Sequence, residues 1–253
     1  MSRVCVVSGG GSGIGRAIAL AFQKQGDQVV ILGRRKEELL ETIRLAHQER
    51  MDSFVVDVTK RKQVDAQMKK IATQFGRLDV LVNNAGISGF TSIFHEEDEI
   101  WEKILQTNLT GLWYLTRAFL REGEKKAGSK IVNISSVLGR FGVPGYLAYC
   151  TAKHGVLGFT RSLALELAPL DIQVNAICPG WVNTEMATSG LQSMAKAMKV
   201  SFEKAKSIAM EAVPQHRLLE PEEIADLACY LTSESARGIT GQSFNIDCGQ
   251  VMS

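Results

Sequence analysis

The sequence lacks long apolar runs. None approaches the roughly 20 residues that cross a bilayer, so a membrane-spanning helix is not expected. Charge of one sign is also missing: 29 Lys and Arg against 27 Asp and Glu give a formal net charge of +2. A nucleic-acid binder should show a clustered basic excess, and that class is disfavoured. The four histidines, His47, His95, His154 and His216, are scattered, with no HExxH or paired spacing, so no metal site is expected. The five cysteines, Cys5, Cys150, Cys178, Cys229 and Cys248, are odd in number, widely spaced and without CxxC. That pattern argues against a disulfide framework and for reduced, mostly buried thiols. No repeat, low-complexity tract or Pro-rich linker divides the chain, and no signal-peptide pattern opens it. One cytoplasmic domain over 1–253 is expected.

What is present is a core-forming composition, 45% hydrophobic and 22% charged. Strand-like runs at 4–7, 29–32, 54–56, 80–82, 131–134, 172–177 and 243–246 alternate with amphipathic segments. The latter lie at 14–25, 37–50, 63–75, 97–121, 148–167 and 221–232. This alternation predicts an α/β fold, a single-domain doubly wound parallel sheet with helices on both faces. Ligands of such sheets bind at the carboxyl ends of the strands. The stretch 183–213 breaks the rhythm. It carries Met186, Met194, Met198 and Met210, and its Leu191, Met194, Met198 and Phe202 suit an apolar, adaptable substrate lid.

The first strand runs into Ser8-Gly9-Gly10-Gly11-Ser12-Gly13-Ile14-Gly15, which opens a helix. A helix start offers unpaired N–H groups and a positive dipole end, suited to a diphosphate. Missing Cβ atoms let phosphates approach the backbone. At the end of the second strand an acid would bind a ribose 2′-OH and favour NAD. Here stand Gly33, Arg34 and Arg35. The two guanidinium groups suit a 2′-phosphate, so NADP(H) is favoured and NAD(H) stays possible. One or both arginines can instead be solvated at a helix start, a reading that suits Arg35 alone equally well. Asp57-Val58 after the third strand can hold an adenine, the carboxylate accepting from the amino group; Asp57 equally suits a helix cap. Asn83-Asn84-Ala85-Gly86 after the fourth strand can line the cleft or simply form a turn.

Tyr149 and Lys153, at i and i+4, share a helix face. A phenol titrates near 10, and an adjacent ammonium should lower that value. Ser136 closes a strand upstream, where its hydroxyl can hold a carbonyl oxygen. Asn108 is an odd polar residue in an apolar helix; its amide can hold a water that links Lys153 to solvent. Pro179-Gly180-Trp181-Val182-Asn183-Thr184 follows the next strand and can shape a nicotinamide pocket.

These motifs together resemble the classical short-chain dehydrogenase/reductase family, in order along nearly the whole chain: Gly13-Ile14-Gly15, Asp57-Val58, Asn83-Asn84-Ala85-Gly86, Asn108, Ser136, Tyr149 with Lys153, and Pro179-Gly180. The resemblance implies a Rossmann-type sheet and a catalytic tetrad of Asn108, Ser136, Tyr149 and Lys153. It implies cofactor contacts at Gly9, Gly11, Ser12, Gly13, Ile14, Gly15, Arg34, Arg35, Asp57, Val58, Asn84, Ala85 and Gly86. Tyr149, Lys153, Pro179, Gly180, Val182 and Thr184 complete that set, Val182 through its backbone. Two residues depart from the family pattern: Ser8 where Thr is usual, and Cys248 where Gly is usual.

The implied reaction is hydride transfer between NADP(H) and a carbonyl or secondary alcohol. Similarity is greatest to β-ketoacyl reductases and 3-hydroxybutyrate-type dehydrogenases. A 3-oxoacyl thioester linked to CoA or a carrier protein is the expected substrate. Lys196, Lys199, Lys204, Lys206 and Arg140 can meet a substrate phosphate, although a solvated helix face is the preferred reading for the lysines. The alternatives are an NAD-dependent dehydrogenase of a small hydroxy acid, cyclic alcohol or steroid, a lyase or epimerase, and a catalytically idle NADP-binding regulatory protein. Substrate recognition should fall to loops 87–95, 137–147 and 183–213. Trp101, Ile104, Leu105, Leu112, Trp113 and Phe119, with Val156, Phe159, Leu163 and Leu167, put apolar groups on more than one helix face. A sheet-covering helix needs one such stripe, so a homodimer or homotetramer is expected.

Overall fold

The computed structural model describes residues 2–46, 50–94, 99–123 and 127–252. His47, His95 and the corresponding parts of the helices expected at 37–50 and 97–121 and of loop 87–95 lie outside the described residues. Seven strands form one sheet in the order β3-β2-β1-β4-β5-β6-β7. They are β1 (Val4–Ser8), β2 (Gln28–Gly33), β3 (Met51–Val55), β4 (Val80–Asn83), β5 (Lys130–Ile134), β6 (Gln173–Pro179) and β7 (Ser243–Ile246). Every pairing is parallel. The helices are α1 (Gly13–Lys24), α2 (Lys36–Leu45), α3 (Arg61–Phe75), α4 (Glu99–Leu105), α5 (Gly111–Glu122), α6 (Leu147–Leu167), α7 (Glu185–Met198), α8 (Phe202–Glu211) and α9 (Pro221–Leu231). None is long and apolar enough to cross a membrane among the described residues.

Alternation along β1 builds the core on both faces. Cys5 and Val7 join Ile18 and Phe22 of α1 and Ile224 and Ala228 of α9 in one cluster. Val4 and Val6 point the other way, among Val64, Met68 and Ile71 of α3 and Leu115 and Phe119 of α5. A strand buried on both faces needs apolar residues at consecutive positions, which is why these strands read as short unbroken runs. The chain winds outward from β1 to β3, then returns to place β4 on the other side of β1. The carboxyl ends of β1 and β4 therefore flank a crevice at the switch point.

Three elements differ from expectation. β3 starts at Met51 rather than at 54, because an edge strand tolerates the polar Asp52 and Ser53; Asp52 accepts from Gln28 Nε2 of β2 at 2.9 Å. The helix expected over 97–121 is broken by a π turn, Gln106–Thr110, between α4 and α5. The stretch 183–213 is helical. Thr184 Oγ1 accepts from the Ala187 amide at 3.3 Å to start α7, and Ser201 Oγ accepts from the Lys204 amide at 3.2 Å to start α8. Those two hydroxyl caps are its sequence signal.

Candidate active site

A cleft of about 500 Å³ opens at the switch point. It is floored by Gly9, Gly11, Ser12, Gly13 and Ile14, and walled by Arg34 and Arg35, by Asp57 and Val58, and by Asn84, Ala85 and Gly86. Gly9 has φ +68°, a conformation that costs other residues. Gly15 does not line the cleft. A Cβ there would lie 2.2 Å from the Gly9 carbonyl oxygen, so this glycine lets α1 pack against the loop. The first turn of α1 has no acidic side chain, and Ser12 makes no side-chain cap. Its N–H groups stay free of a competing carboxylate, as an anion site requires. Ser8, in the place of the usual Thr, accepts from the amides of Asn84 (3.0 Å) and Ala85 (3.1 Å) and donates to Val82 O (3.2 Å). One hydroxyl thus ties β1 to the end of β4.

The residues fit a dinucleotide. Arg35 donates to Ser12 Oγ at 3.0 Å beside the glycine loop, and its guanidinium lies 3.7 Å from Glu38 and 3.6 Å from Glu185. Arg34 lines the same cleft. Asp57 does two things: it faces the cleft and accepts from Thr59 N (2.9 Å) and Oγ1 (2.8 Å). Burial works against its charge, but those bonds and Arg34 hold the carboxyl below its ordinary range.

A second cavity, about 410 Å³, adjoins the first and shares Ile14, Asn84, Gly86 and Thr184 with it. Ser136, Tyr149 and Lys153 meet on its wall, with Pro179, Gly180 and Val182. Ser136 follows β5, and its Oγ accepts from the Leu138 amide at 3.1 Å to start a 3-10 turn. Lys153 is buried and donates to Ile134 O at 2.9 Å, and its Nζ lies 5.5 Å from the centroid of the Tyr149 ring. Burial pushes the Lys153 ammonium down to about 8. Burial likewise pushes the Tyr149 phenol up to about 12, against the pull of a hydrogen bond with Ser136. The expected lowering of the phenol by the ammonium is therefore overturned in the free chain, because desolvation of both groups dominates. Tyr149 is a fully protonated acid at neutral pH.

Asn108 has partners within the chain. Its Oδ1 accepts from the Ile87 amide and its Nδ2 donates to the Ile87 carbonyl, each at 2.8 Å. The amide pins the loop after β4 from its place in the π turn. Arg140 is not free for a phosphate either: it donates to Asn245 Oδ1 (3.2 Å) and Ser243 O (2.5 Å) of β7. None of the lid lysines lines either cavity. Met186, Met194 and Met198 line the second, whereas Leu191 and Met210 are core residues. Phe90 and Tyr146, which border both cavities, come from the expected loops 87–95 and 137–147, whereas sequence reasoning missed Gln250, which borders the second. Gln250 carries no local signal, since it meets Ser136 only through the fold.

A family model described as enoyl-(acyl carrier protein) reductase matches residues 9–250. The 3-oxoacyl-[acyl-carrier-protein] reductase FabG of Thermotoga maritima is 36% identical over 252 residues, 99% of this chain and 98% of that protein. D-beta-hydroxybutyrate dehydrogenase of Cupriavidus necator is 33% identical, over 98% of each chain. The crystal structure of an actinorhodin polyketide ketoreductase with NADPH superposes with a TM-score of 0.94 at 38% identity, covering 98% of this chain and 97% of that one. The chain belongs to the short-chain dehydrogenase/reductase family of oxidoreductases acting on CH–OH groups.

Proposed function

We propose that this chain reduces a ketone to a secondary alcohol with NADPH, its substrate being a 3-oxoacyl thioester on CoA or a carrier protein or a similar β-keto compound. The observation that carries this reading is the meeting of Ser136, Tyr149 and Lys153 on the wall of an apolar cavity that adjoins the glycine-floored cleft. The bound reduced nicotinamide supplies the hydride. The chain does the rest. Ser136 holds the carbonyl oxygen, and Tyr149 Oη donates the proton to it as the oxygen gains charge. A phenol kept protonated up to about 12 suits the reducing direction. Lys153 orients the cofactor ribose and lowers the cost of the phenolate. Asn108 holds Ile87 and with it the loop after β4 that lines the cleft. Val182 and Thr184, with Pro179 and Gly180, position the carboxamide end, and Gly9 to Ile14 take the diphosphate.

Arg34 and Arg35 receive the 2′-phosphate, Arg35 leaving Glu38 and Glu185 to do so. Those two carboxylates also favour a second reading, in which NAD(H) binds and a small hydroxy acid or cyclic alcohol is oxidised. Fluorescence titration with both cofactors separates them: NADPH should bind at least about 10-fold tighter than NADH, and Arg34→Ala should weaken NADPH alone. Equal binding would favour the second reading. A screen of 3-oxoacyl thioesters, cyclic ketones and steroids with each cofactor tests the substrate class. No net NADPH consumption with any ketone would leave the lyase, epimerase or regulatory alternatives.

We further propose a single catalytic unit over 1–253 whose lid, about 183–213, closes on substrate through Met186, Met194 and Met198. Five buried thiols, none in a disulfide, support a reducing, cytoplasmic setting. Exposed Trp113 on α5 and Leu165 on α6 support a homodimer or homotetramer.

A further inference from the structure

We infer that Gln250 determines specificity, and that the substrate carries a hydrogen-bond donor, a hydroxyl or N–H group, which the side-chain oxygen of Gln250 accepts. This rests on the ketone-reducing reading above. Gln250 Oε1 is buried and has no hydrogen-bond partner among the described residues. Its residue lines the same cavity as Ser136, Tyr149 and Lys153. The oxygen lies over the turn after β6, 3.3 Å from where a Cβ on Gly180 would stand. Trp181, Met194 and Met198 make the surrounding wall largely apolar. Buried acceptors in native proteins nearly always have a partner, so a donor should arrive with whatever fills the cavity.

The backbone that carries this amide is tightly held. Gly249 N and Val251 N donate to the two carboxylate oxygens of Asp247, at 3.0 and 2.8 Å, and Gln250 N donates to Asp247 O at 3.2 Å. Asn245 Nδ2 donates to Val251 O at 3.1 Å, and Asn245 Oδ1 accepts from Arg140 at 3.2 Å. Arg140 directly follows the 3-10 turn that Ser136 caps. A continuous set of bonds therefore fixes the Gln250 backbone relative to the residue that holds the reacting carbonyl. An acceptor carried on so well-held a backbone discriminates, because an analogue without the donor leaves it unpaired.

The test is a series of ketones with a hydroxyl at increasing distance from the carbonyl, each matched with its deoxy and methyl-ether counterparts. NADPH turnover by the wild-type chain is compared with that of Gln250→Leu and Gln250→Met, whose folding is checked by thermal melting. At one spacing the wild type should prefer the hydroxy ketone by about 10-fold in kcat/KM, the size of one neutral hydrogen bond. Both variants should bring that ratio close to one. The methyl ether should behave as the deoxy ketone, since it offers no donor. Turnover of the deoxy ketones without preference at any spacing would overturn the role of Gln250 and leave ketone reduction standing. A methyl ether used as well as the alcohol would also overturn it. No turnover of any member would sink both.

Discussion

Lys153 is a cost to the fold that its proposed catalytic role requires. Its ammonium is buried and donates to the Ile134 carbonyl at 2.9 Å. The drop from 10.5 to about 8 corresponds to roughly 3 kcal/mol against folding at neutral pH. Losing the bond to Ile134 gives back about 1 kcal/mol. Lys153→Met should therefore raise the stability of the free chain by about 2 kcal/mol at pH 7 while removing turnover. The sign with pH follows from proton counting. Below about 8 both folded and unfolded chains hold the proton, and the full cost is present. Between about 8 and 10.5 the unfolded chain holds more protons, so the wild type gains stability as pH rises. Urea melts of both proteins across that range should show the gap closing; a gap independent of pH would contradict the buried ammonium. Cys248 is a smaller cost, with φ +57° where the family places glycine.

At the scale of elements, the π turn at Gln106–Thr110 shows what local patterns can and cannot reveal. Asn108 stood out as a polar residue in an apolar helix, so its importance was legible. Its pairing with Ile87 was not, because Ile87 lies on another loop, 21 residues away in the chain. Asn108→Leu should leave the partly buried N–H and C=O of Ile87 unpaired and cost about 1–3 kcal/mol, with KM for the cofactor raised. Thermal melting and steady-state kinetics measure both; wild-type stability would show that the pairing with Ile87 carries no weight. The glycine loop, by contrast, was legible almost residue by residue, since its constraints are local: a left-handed Gly9 and a Gly15 with no room for a Cβ. The two lid helices were read only as a stretch out of rhythm, although Thr184 and Ser201 mark their starts.

For the molecule as a whole, the alternation of buried strands and amphipathic helices was enough to give a doubly wound parallel sheet, because that period reflects burial on both faces. Strand order put the crevice where β1 meets β4, and the motifs after those strands line it. What the pattern could not supply is the neighbourhood of groups far apart in sequence, such as Gln250 with Ser136 or Arg140 with β7. The outer faces of α5 and α6 expose Trp113 and Leu165, the latter 79% accessible. Light scattering should find a dimer or tetramer, and Leu165→Glu should yield a smaller species with unchanged secondary structure. A wild-type monomer at micromolar concentration would refute this interface. The central claim is that a single phenol delivers the proton beside a cofactor bound elsewhere in the cleft. Its most direct test is Tyr149→Phe, read by NADPH fluorescence titration and by ketone turnover in the same preparation. The account predicts NADPH affinity within about 3-fold of wild type and turnover lowered by at least about 100-fold; turnover retained in that variant would contradict it.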